Sequence, residues 1–326
     1  MIPVDMPLMV LGYMIYMYSE VFLWLFAAGL IAMLIPRSRR YILARRWKLG
    51  ILMVLLAAGS APYVQVTFEH WQYWRAHHPR LDVQQMVGDL VLPVGTQVDL
   101  PYLEPFNDLS GDPIPYGLES IRRADFDRTP GIIKGLQVRS LELWDGSATV
   151  ETLTANDLEG WHCEPGKVEY IFPSGARFKF SEWRMSNCML APGTQLGGIV
   201  WPGPVRVFST APDWEARSEN VPVMGMELRW MSMRLNRPYG EARAWSGTSN
   251  HAFDFGHVHY PADTLVRRNE ERMQFSLPLG VQARDQRTAA SIEGGQTVIQ
   301  SMAGDVLETR SNQSMGVYFP DELIVR

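Results

Sequence analysis

The chain has almost no cysteine and little lysine. Its only cysteines are Cys163 and Cys188, which excludes a cysteine-dense disulfide scaffold, a CxxC redox motif and a cysteine-based zinc site. Lysine occurs only at Lys48, Lys134, Lys167 and Lys179, so arginine carries nearly all the positive charge. The usual enzyme signatures are missing as well. There is no G-x-S-x-G elbow and no GxGxxG turn. Gly160 to Lys167 is a near miss for a phosphate loop: five residues separate the glycines instead of four, and Val168 stands where Ser or Thr would hold magnesium. No cofactor is assigned. After Val87 no long run with helical periodicity appears; Asp213 to Val221 and Ala289 to Ser301 come closest.

Charge is unevenly spread. Of 30 basic and 35 acidic residues, six basic and two acidic ones (Asp5 and Glu20) lie in 1–66, leaving 24 against 33, a net of -9, for the remainder. A mildly acidic domain argues against nucleic acid, which needs a basic face.

What is present begins with two apolar runs around a basic stretch, residues 37–48, which holds six positive charges and no negative one. A membrane span needs about 20 residues. The run from Pro7 to Ile35 supplies one span and Gly50 to Val66 a second, with Pro62 near its outer end. Cytoplasmic loops collect Lys and Arg. The expected topology is therefore N-terminus out, loop in and everything after Phe68 outside the cytoplasm, in a multi-pass protein of the bacterial inner membrane with a periplasmic C-terminal domain. Phe68, Trp71, Tyr73 and Trp74 read as an aromatic belt at the outer interface. Glu20 would lie about one turn inside the first span. It is either a carboxylate near the headgroups or a contact to a partner, since intramembrane acids are costly.

The expected organisation is a two-helix anchor over 1–68, a stalk and linker over 69–86, and an all-β domain over 87–326 with a candidate boundary near 209–225. Short alternating runs broken by Gly and Pro carry the β assignment. Several break at Pro-Gly or Pro-x-Gly: Pro93-Val94-Gly95, Pro173-Ser174-Gly175, Pro192-Gly193 and Pro278-Leu279-Gly280. Proline presets the first turn angle and glycine takes the positive-φ position. A longer phrase also recurs. Gly160-Trp161-His162-Cys163 to Tyr170 matches Gly198-Ile199-Val200-Trp201 to Phe208; Gly135 to Gly146 fits with a gap, and Gly256-His257-Val258-His259-Tyr260 opens a looser copy. Successive units start 25 and 38 residues apart. One hairpin cannot bury its own apolar face, but hairpins side by side can. The fold expected is an antiparallel repeat sheet of β-hairpins. This pattern resembles the bacterial hairpin-repeat proteins grouped with MORN and YwqK-like repeats. That resemblance implies a binding or scaffolding sheet and, in some members, an antitoxin or immunity role.

The candidate residues follow. Cys163 and Cys188 are either a disulfide, which would contribute about 3 kcal/mol on the chain-entropy model, or two buried thiols. His257 and His259 share a strand face, with His251 or Asp254 as a further ligand of a kind zinc accepts. Against this, the repeat puts His259 where Cys163 stands and His257 where Trp161 stands, so hairpin construction alone explains both. Trp230, Arg229, Met231 and Trp245 are partner-binding candidates, with Glu20 inside the membrane, because Trp and Arg dominate interface hot spots. Simple alternation over 227–235 puts Leu228, Trp230, Ser232 and Arg234 on one side and Arg229, Met231, Met233 and Leu235 on the other. The functional expectation is a protein that is not an enzyme and grips another protein, a toxin or other effector in the immunity version. The alternatives are a structural subunit of an envelope secretion or export assembly, and a membrane-tethered metal-dependent hydrolase.

Overall fold

The computed structural model describes residues 6–35, 46–269 and 271–319. The chain divides into two compact units, one of 1–79 with 100–117, the other of 80–99 with 118–326.

The first unit holds two helices, α1 (Met6–Leu34) and α2 (Arg46–His77). Within them Tyr13–Leu34 and Gly50–His77 are long and apolar enough to cross a membrane, by length and composition. Small residues let the helices approach. A Cβ on Gly29 would meet Met53 Sδ at 2.7 Å, and one on Gly59 would meet Phe22 Cδ2 at 2.7 Å. Ser19 and Ser60 are buried, each donating its hydroxyl to a carbonyl three residues back. Most of the basic stretch, 37–45, lies outside the described residues; Arg46 to Lys48 form the first turn of α2.

α2 runs on past the expected end of the span. Pro62 lies inside it, where proline removes one backbone hydrogen bond and the rest of the ladder continues. Beyond Val66, aromatic and charged neighbours one turn apart support the helix: Phe68 stacks on Trp71 with centroids at 5.9 Å, and Arg75 lies 5.4 Å from the Trp71 ring. At its end the Leu100 N–H donates to His77 O at 2.8 Å. A small hairpin, Phe106–Asn107 with Pro113–Ile114, completes this unit.

The second unit is built on a 17-stranded antiparallel sheet. Its twelve later strands form an uninterrupted ladder in chain order: Leu136–Trp144, Ser147–Thr152, Gly166–Ile171, Arg184–Leu190, Val205–Thr210, Asp213–Val223, Met226–Leu235, Ala242–Ser249, Leu265–Asn269, Arg272–Ser276, Gln296–Ser301 and Val306–Ser311. No boundary falls near 209–225, because the strands on both sides of it pair continuously. Asp213–Val223 and Gln296–Ser301, the two segments nearest to helical patterning, are strands whose cross-strand partners on both sides set their conformation. The last strand, Val306–Ser311, pairs on one side only among the described residues, and all six of its residues are exposed.

Consecutive antiparallel strands bring the chain back to the same edge of the sheet at every second connection. At four of those returns the link is a short hairpin laid over the sheet rather than a turn. These flaps are Asn156–Leu158 with Trp161–Cys163, Gln195–Leu196 with Ile199–Val200, Phe253–Phe255 with Val258–Tyr260, and Gln282–Asp285 with Ser291–Glu293. The last two also pair with each other. Pro192-Gly193 and Pro278-Leu279-Gly280 mark where the chain leaves the sheet for a flap, with Gly193 at φ 82° and Gly280 at φ 79°, angles that a side chain disfavours.

The core lies between sheet and flaps. Trp161, Trp201, Val258 and Tyr260 from the flaps are fully buried, as are Val150, Val207, Met233 and Phe275 from the sheet. Tyr260 stacks on Phe275 at 4.4 Å, and Trp161 meets Trp214 edge-on at 5.5 Å. Cys163 and Cys188 form a disulfide that ties the first flap to the strand Arg184–Leu190.

Candidate functional site

The flaps cover one face of the sheet, and over the strands from Val205–Thr210 to Leu265–Asn269 the other face is open among the described residues. Strand alternation therefore sorts the side chains: Val205, Val207, Ala216, Met231 and Met233 are buried, while Arg206, Arg217 and Arg234 are exposed. On this open face two cavities, of about 1170 and 470 Å³, share Glu215, Ser232 and Ser246 and so form one trough. Ser232 and Ser246 are direct cross-strand partners and make its floor. On one side Ser232 faces Arg217, which in turn faces Arg206; on the other Ser246 faces Arg267. Trp230, 39 % exposed, lies two residues from Ser232 toward one end, and Arg234 two residues toward the other.

Charge in the trough is unbalanced. Glu215 accepts from Arg217 Nε at 2.8 Å and from the Ser232 hydroxyl. The Arg217 hydrogen bond is the main reason its carboxyl is held below the usual carboxylate range, with Ser232 and Arg234 adding to it against the effect of burial. Arg206 and Arg217 stand directly opposite each other, an arrangement of like charges that destabilises a sheet. Phe208 partly offsets it, since both guanidiniums lie over its ring, at 6.0 and 5.1 Å. Among the described residues, Arg206, Arg234 and Arg267 form no ion pair.

The depressed titration of Glu215 gives a pH prediction. A carboxyl whose folded pKa lies below its unfolded value contributes stability above the unfolded value, and that contribution is lost as pH falls through the folded one. Glu215→Gln should therefore lower the urea midpoint at pH 7, and the gap from the parent chain should narrow by pH 3. A constant gap would show that the carboxylate adds nothing specific.

The sequence-derived candidates scatter. Trp230 lines the trough. Met231 and Trp245 also border the two cavities, but their side chains are buried, at 0 and 3 % exposure, on the covered side of the sheet. Arg229 lies outside the trough and pairs with Asp263 at 2.5 Å. The cause is an irregularity at 228–230: Leu228 faces Ser249 and Trp230 faces Thr248, so one residue is skipped in the pairing. Asn220 on the neighbouring strand has φ 53° at the same level. Alternation thus changes phase, and Leu228 joins Met231, Met233 and Leu235 on the buried side, where simple alternation separates it from them. Glu20 sits on α1 and accepts from Trp24 Nε1 at 3.4 Å.

The histidines do not converge. His259 Nδ1 meets Asp254 Oδ1 at 2.7 Å, whereas His251 faces Glu227 at 3.6 Å. Among the described residues no three His, Cys, Asp or Glu side chains are placed to hold a metal. The structure also moves the repeat register by one residue. Asp254 pairs with His259 as Asp157 pairs with His162 in the first flap, and the second Asp–His contact is 2.8 Å. His259 therefore corresponds to exposed His162, and Tyr260 corresponds to Cys163.

Arg206, Arg217, Arg234 and Arg267 escape a reading of the sequence alone. Each strand shows only one or two arginines, and only the cross-strand register assembles them. In comparisons with family models, curated proteins and solved structures, no match was found.

Proposed function

We propose that this is a bacterial inner-membrane protein whose β domain stands in the periplasm and grips another protein with the open face of its sheet. α1 and α2 are the anchor, and the basic stretch 37–48 lies on the cytoplasmic side. The observation that carries the reading is the trough: one face of the sheet is sealed by flaps, while the other gathers Arg206, Arg234 and Arg267, which form no ion pair among the described residues, and Glu215-bound Arg217 around an exposed tryptophan, the residue types that dominate interface hot spots. The specific version is neutralisation of an envelope-acting toxin, as an immunity protein of the hairpin-repeat kind. The polar Glu20 within an apolar helix favours a second reading, a structural subunit of an envelope assembly that uses this carboxylate between membrane helices.

Two measurements test this. Fused to the C-terminus, a phosphatase active only outside the cytoplasm should give signal, and a fluorescent protein that matures only inside should stay dark; the reverse pattern ends the topology. A photo-crosslinking residue at Ser246 should yield a protein adduct in cells that the same residue at exposed Thr154 does not. Equal labelling at both sites would remove the open face as the gripping surface, and adducts only to general envelope machinery would remove the immunity version.

A further inference from the structure

We infer that the trough takes an acidic, extended segment of a protein, with carboxylates about four residues apart. This rests on the open face being the gripping surface and adds the chemistry of what it grips. Arg217, which gives only its Nε to Glu215, and Arg267 are separated by three strand steps, through Ser232 and Ser246, a span of about 14 Å at the usual strand spacing. An extended chain covers that distance in about four residues. The small side chains between them leave room for a backbone to cross; the Ser246 hydroxyl can donate to it, while that of Ser232 already donates to Glu215. The guanidinium fork matches a carboxylate with two parallel hydrogen bonds. No lysine lines either cavity, which fits the enrichment of arginine and depletion of lysine in protein interfaces.

Glu215 and Glu219 also line the trough. They would repel a polymer charged at every unit, such as polyphosphate or nucleic acid. A polypeptide can set its carboxylates opposite the arginines and place neutral or basic residues opposite these glutamates. Trp230 at one end offers an apolar anchor beside the charges.

The test uses the full chain in detergent at low salt and a short fluorescent peptide carrying glutamate at every fourth position. Saturable binding is expected. It should weaken at least tenfold in the Arg206→Glu, Arg234→Glu double variant and less than twofold in Arg287→Glu, which makes the same kind of charge change on a flap. A glutamine version of the peptide should not bind. Retained circular dichroism of each variant separates lost contacts from lost folding. No saturable binding, equal weakening by Arg287→Glu, or binding of inorganic polyphosphate in place of the peptide would overturn the inference. The Ser246 crosslink keeps the two levels apart: a specific adduct without peptide binding leaves the gripping face standing and removes only its acidic partner, whereas loss of both removes the two together.

Discussion

Trp161→Ala is expected to destabilise the β unit by about 3–5 kcal/mol, the usual range for truncating a buried aromatic. Trp161 is fully buried, with Trp214 edge-on at 5.5 Å and the Tyr239 ring at 5.0 Å. The hole would open beneath the first flap, where neither the sheet strand below nor the disulfide at Cys163 lets the flap settle inward. The indole N–H has no hydrogen-bond partner among the described residues, so Trp161→Phe should cost much less than Trp161→Ala, because it removes an unsatisfied donor while keeping a ring. Urea unfolding midpoints of the two variants check this. Similar losses in both would mean that the indole's particular shape, and not its volume, holds the flap.

Gln300→Leu is expected to cost at least about 3 kcal/mol. Gln300 is fully buried on the strand Gln296–Ser301. Its carbonyl accepts from Tyr260 Oη at 2.7 Å, and its amide donates to Gly304 O at 2.7 Å and Phe255 O at 3.3 Å. One side chain therefore satisfies a phenol and two carbonyls between the third flap and the sheet. Leucine would leave all three without that partner, at about 1–3 kcal/mol for each group left unsatisfied. Burial already pushes the Tyr260 phenol well above its ordinary range, so the hydroxyl cannot escape its position by ionising. In a double-mutant cycle, Tyr260→Phe combined with Gln300→Leu should cost less than the two single losses added, because the first removes the donor that the second strands. Strict additivity would show that the two groups do not depend on each other.

How much of this was legible beforehand depends on the range of the interaction. Two long apolar runs announce two helices because the signal is local and continuous. The β character after Val87 is legible for the same reason. Register is different. The phase change at Arg229 comes from pairing with Ala242–Ser249, a strand whose alignment single-sequence periodicity does not contain, and it moves Leu228 to the opposite side from the one alternation gives. The one-residue offset at His259 has the same origin, since glycines align by eye while cross-strand partners align in space. The trough was least visible, because it is a row assembled from five strands. Residue type alone singles out Trp230, but not the arginines around it.

Among the described residues the ladder of strands is open at its far end. In a closed barrel the strand number and the stagger of the pairing are locked together, so one hairpin cannot be removed without remaking the whole. Here each strand answers only to the two beside it, and Val306–Ser311 has a free side among the described residues. Duplication or loss of a strand–flap–strand segment would lengthen or shorten the contact surface while leaving the remaining hairpins in place, so the reach of the open face can change over generations without a new core having to be invented.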